Sequence, residues 1–81
     1  MVAVFKTNIK NEQEVAFIIQ NLQEHYHSAA INVDLDDEDK VLRVDNPVVD
    51  AIKIILLLSA WSFKCEVLGV IKANKSKSKI K

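Results

Sequence analysis

Between residues 5 and 17 the chain changes its period, and that change limits the folds open to it. Val2-Ala3-Val4-Phe5-Lys6-Thr7 is rich in β-branched and aromatic residues, which suit a pleated, half-buried strand. Asn11 then stands three residues before Glu14. That is the spacing of a capping box, in which each side chain accepts a hydrogen bond from the other residue's backbone N–H. Val15, Ile18, Leu22 and Tyr26 follow at the spacing of one helical stripe, so a helix is expected from about Glu12 to about His25. A strand that turns at once into a capped helix is the opening of an α+β chain.

The remaining elements follow in order. Ile31-Asn32-Val33-Asp34-Leu35 alternates apolar and polar residues, the period of a strand with one buried face. Asp36-Asp37-Glu38-Asp39 is too acidic to stay paired and marks a hairpin tip, after which Val41-Leu42-Arg43-Val44 resumes as a strand. Pro47 is tolerated at a first helical position, with Asn46 as its cap, so a second helix is expected from Pro47 to about Trp61. Lys64 to Leu68 forms the last strand, with a continuation past Gly69 to Ile71. The order is βαββαβ. It predicts a ferredoxin-like sandwich, an antiparallel sheet with two helices on one face.

Residues 1–71 thus make one small domain, near the size at which a single core is marginal. The zero net charge hides a split: residues 1–71 carry eleven acids against six basic residues, or −5, and five lysines stand at 72–81. That lysine-rich tail is too polar to fold and is expected to be disordered. It has no interleaved aromatics or arginines, so it offers nucleic acid or lipid only weak, salt-sensitive attraction, and no specific nucleic-acid partner is expected. The longest apolar run, Ile54 to Trp61, falls well short of the roughly 20 residues that cross a bilayer. A lone Cys65 excludes an intrachain disulfide and fits a reducing, cytoplasmic setting.

Residues 4–68 resemble the heavy-metal-associated domains of copper chaperones and metal-transporting ATPases. Phe5-Lys6-Thr7-Asn8-Ile9-Lys10 is similar to the strand and loop before that family's Cys-x-x-Cys, and Val15, Ile18 and Leu22 match its first-helix core. The second and third strands match likewise, and Phe63 stands where the family has an aromatic. Asn11 and Glu14 occupy the two cysteine positions, Ile9 a common methionine position, and Ser62 the place of a usual glycine. The resemblance implies a soft-metal site, but soft ions select thiolate and thioether ligands, whereas an amide and a carboxylate are hard donors. The expected metal ligands and cofactors are therefore none.

Other constellations are weak. Cys65 alternates with Phe63 and Val67 and is expected to point into the core. His25 and His27 suit a helix C-terminus, where cations meet the last carbonyls. The acids from Asp34 to Asp39 lack the glycine turn and distal glutamate of a calcium loop. No nucleophile, base and oxyanion set stands out, so the chain is not expected to be an enzyme.

Helix two holds the strongest signal. Ala51, Ile55 and Leu58 share the stripe that the resemblance assigns to the core, Ile52 and Leu56 lie far from it, and Ile54, Leu57 and Trp61 lie on its other flank. Apolar residues nearly all round a helix imply burial on more than one side. Phe17 and Ile19 add to this on helix one. The expectation is an interaction module, a homodimer or a contact with another protein across the helical face, through Phe17, Ile19, Ile52, Leu56, Leu57 and Trp61. The alternative is a metal-handling protein with an atypical or shared site.

Overall fold

The computed structural model describes residues 1–71, so the lysine-rich tail lies outside the described residues. Strand β1 (Val2–Thr7) leads into helix α1 (Glu12–His25), the hairpin strands β2 (Ala30–Asp34) and β3 (Val41–Asp45), helix α2 (Ala51–Ala60) and strand β4 (Cys65–Ile71). The strands form one sheet in the order β2-β3-β1-β4, and every neighbouring pair is antiparallel. This is the ferredoxin-like βαββαβ arrangement. β1 pairs with β3 from Val2↔Asp45 to Phe5↔Leu42. Against β4 the register slips: Val4 pairs with Gly69 but Phe5 pairs with Val67, which leaves Leu68 as a bulge.

The alternation that marks β1 has a direct packing consequence. Ala3, Phe5 and Thr7 are buried, and Leu42 and Val44 on β3 lie on the same side of the sheet. Ile18 and Leu22 of α1 and Ile54 and Leu58 of α2 close this layer from above, all four fully buried. α1 lies towards β2 and α2 towards β4.

The start of α2 differs from the expectation. The helix begins at Ala51, not Pro47, and Asp50 is its cap, its carboxylate accepting from the Lys53 N–H at 3.2 Å. Asn46 serves the preceding turn instead: its side-chain amide donates to the Val48 carbonyl at 2.8 Å and its N–H to the Met1 carbonyl at 2.9 Å. The physical reason is Val49, which is buried in the core. The segment from Asn46 to Asp50 stays non-helical and carries Val49 inward, so the first turn of helix moves four residues along.

The core stripe of α2 also differs. Ile54 and Leu58 are fully buried, while Ala51 and Ile55 are only partly so. The stripe is turned towards α1, because the helix packs on its neighbour as well as on the sheet. Lys53 places its ammonium 5.6 Å from the centre of the Tyr26 ring, and Trp61 meets Phe17 edge-on at 5.8 Å between ring centres.

The end of α2 is a Schellman motif. The Phe63 N–H donates to the Leu58 carbonyl at 2.8 Å and the Ser62 N–H to the Ser59 carbonyl at 3.0 Å. This closure needs a left-handed residue, and Ser62 supplies it at φ 71°. Glycine is the usual residue at such a position, because it adopts that conformation without a Cβ clash.

Candidate functional site

The loop between β1 and α1 is where the sequence reading compared Asn11 and Glu14 with a pair of metal ligands, and Asn8, Asn11 and Glu14 there each accept a backbone hydrogen bond. The Asn11 side-chain oxygen accepts from the Glu14 N–H at 2.9 Å. The Glu14 carboxylate reaches back, but to the Lys10 N–H at 2.8 Å and not to that of Asn11. The capping box therefore forms with its return arm displaced by one residue. Both side chains satisfy helix-terminal donors that would otherwise be orphaned.

The rest of the loop is equally committed. Ile9 is fully buried, so the position where the family has methionine acts here as an apolar anchor. Its N–H donates to the Thr7 hydroxyl oxygen at 3.2 Å, and that hydroxyl donates to the Lys40 carbonyl at 2.6 Å. Asn8 accepts from the Lys64 N–H at 2.9 Å, which ties this loop to the start of β4. The hairpin tip is bound into the same corner, with the Thr7 N–H donating to the Asp39 carbonyl and the Lys40 ammonium to the Leu35 carbonyl at 2.8 Å.

The remaining donors do not converge. Cys65 is half-buried against the core, and burial pushes its thiol up to about 12, so it is a protonated thiol at neutral pH. The His27 ring lies 2.9 Å from the Glu24 carbonyl at the end of α1. Among the described residues no three His, Cys, Asp or Glu side chains are placed to hold a metal ion. A shallow cleft of about 240 Å³ lies between Lys6, Thr7, Asn8, Lys64, Cys65 and Glu66. It is smaller than the roughly 300 Å³ at which small-molecule sites begin.

The apolar surface is arranged differently from the sequence reading. Ile52 and Leu56 are 70% and 64% exposed, one helical turn apart on the side of α2 away from the core. Leu57 and Trp61 are half-buried against the core and Ile19 is half-buried on α1. Phe17 is 44% exposed and forms an aromatic cluster with Trp61 and Phe63. Of the six residues named from sequence, Phe17 and Trp61 pack edge to face, and Ile52 and Leu56 are the most exposed.

A second exposed set was missed. Val67, Leu68, Val70 and Ile71 on β4 are all exposed, Leu68 by 51% and Ile71 by 61%. The signal available was a run of apolar residues without alternation, which reads as a strand covered on both faces. Among the described residues β4 is instead an edge strand, paired only with β1. No described helix is long and apolar enough to cross a membrane, so these residues are not part of a spanning helix. No family model, curated protein or solved structure matches the chain.

Proposed function

We propose that this chain is a non-catalytic interaction module that acts by self-association, on a scaffold resembling a metallochaperone domain whose soft-metal positions have become a helix cap. The observation that carries the reading is the outward exposure of Ile52 and Leu56 on α2. Large side chains of this kind are worth roughly 1.5–3 kcal/mol each when removed from water. Exposed apolar surface grouped on one side marks a contact site more often than it marks an idle one. The cap reading supports the same conclusion from the other side, since Asn11 and Glu14 each hold a backbone N–H at the start of α1, which accounts for both residues without a ligand.

The test is the solution mass of the parent chain against an Ile52→Lys/Leu56→Lys double variant, by light scattering over a range of concentrations. The parent is expected as a dimer and the variant as a folded monomer. A parent that stays monomeric at every concentration would refute the reading.

A further inference from the structure

We infer that β4 is the pairing strand of the proposed self-association, two copies joining β4 to β4 antiparallel so that one sheet runs through both. This inference rests on the self-association reading and adds its geometry. Among the described residues β4 hydrogen-bonds to β1 on one side only, so the backbone N–H and C=O groups of its other side call for a strand as partner. Natural edges are blunted by lysine, proline, inward charge or a bulge. From Cys65 to Ile71 the strand has no proline and one charge, Glu66, and the bulge at Leu68 is its single blunting feature.

Charge decides which edge a second copy takes. The body carries −5 over residues 1–71, and the hairpin from Asp34 to Asp39 holds five of its acids beside the opposite edge strand, β2. Two copies meeting there would set these acids against each other. β2 lies three strands from β4, roughly 14 Å across the sheet. That exceeds the roughly 8 Å screening length at physiological salt. Within β4 itself, from Cys65 to Ile71, Glu66 is the one charge, so the paired strand holds no comparable cluster of like charges, and the lysines at 72–81 follow after it.

The neighbouring helix extends the same contact. Lys53, Leu57 and Trp61 lie on the α1 side of α2, as the Tyr26 and Phe17 contacts show, which leaves Ile52 and Ile55 on the flank over β4. A two-fold axis near Leu68 would bring both α2 flanks towards each other above the joined sheet, an isologous contact. Val67 and Val70 pair with Phe5 and Ala3 and so lie on the helix side of the sheet, where their exposed side chains, with Ile52, continue the apolar surface of this flank.

The experiment is amide hydrogen exchange of the full chain, diluted and concentrated, with the mass recorded on the same samples. β4 amides are expected to slow by about tenfold or more as the dimer forms, while β2 amides are unchanged. Leu68→Lys is expected to yield monomer, and Asn32→Lys on the β2 edge to leave the dimer intact. A dimer whose β4 amides exchange as in the monomer would overturn the strand pairing and leave self-association standing. A chain that never dimerises would overturn both. If Leu68→Lys does not fold, the exchange of the parent chain still decides.

Discussion

The loop from Asn8 to Glu14 and the surface formed by α2 and β4 are opposites in how they use their chemistry. In and beside the loop, four side chains are turned to the backbone: Asn11, Glu14, Thr7 and Asn8 each accept from a nearby N–H. On α2 and β4, large apolar groups and one edge of backbone have no partner among the described residues. Polar residues such as Asn11 and Glu14 are therefore weak evidence of a site when local folding already explains them. Unspent apolar surface is stronger evidence, because a domain this small has little reason to forgo its burial.

The sharpest way to break the comparison is to treat one α2 residue from each class alike. Ile54→Ala is expected to destabilise the fold by about 2–5 kcal/mol, since it empties a fully buried position. Leu56→Ala should change the stability of the monomer by less than about 0.5 kcal/mol and weaken association instead. Urea titration measured at low protein concentration separates the two. Equal losses would show that Leu56 is part of the core.

The loop has its own test. An Asn11→Cys/Glu14→Cys double variant is expected to lose about 1–2 kcal/mol through the cap and to gain copper(I) binding that the parent lacks. Thermal unfolding with and without copper(I) reads both effects. Copper(I) bound equally by parent and variant would contradict the assignment of these residues as a cap.

Ser62→Gly sharpens the account at the far end of α2. The left-handed φ of 71° favours glycine, so the variant should be more stable by about 0.5–1 kcal/mol, read by urea titration. The smallest effect concerns Cys65, which should be slow towards iodoacetamide at pH 7. Its folded value near 12 lies above the ordinary 9.0, so the folded chain holds this proton where the unfolded chain releases it. The contribution is complete below pH 9 and is lost as pH rises towards 12. A Cys65→Ser variant should lack that alkaline decline in stability.

What the sequence disclosed depended on how local the cause was. β1 and α1 were legible because alternation, the Asn11 cap and the Ile18–Leu22 stripe are read within a few residues and agree with the packing. α2 was legible as a helix but not in its start or its facing. Pro47 met the local rule for a first turn, yet Val49 was needed in the core and Asp50 took the cap. A helix apolar on every side has no periodicity to show whether Ile54 or Ile55 faces inward, and contact with α1 settles that from far along the chain. β4 was legible as a strand, but its place at the sheet edge comes from the pairing order, which no local pattern records. The residues that carry the candidate contact were therefore only half foreseen: Ile52 and Leu56 were, and Leu68 and Ile71 were not.

The most direct test of the central claim is sedimentation equilibrium of the full chain, from low micromolar to about millimolar concentration, the range in which association worth a few side chains is populated. The account predicts a reversible rise from 9.2 kDa to twice that mass, unaffected by copper(I) or zinc. A mass of 9.2 kDa throughout, or a dimer that forms only when metal is added, would contradict it.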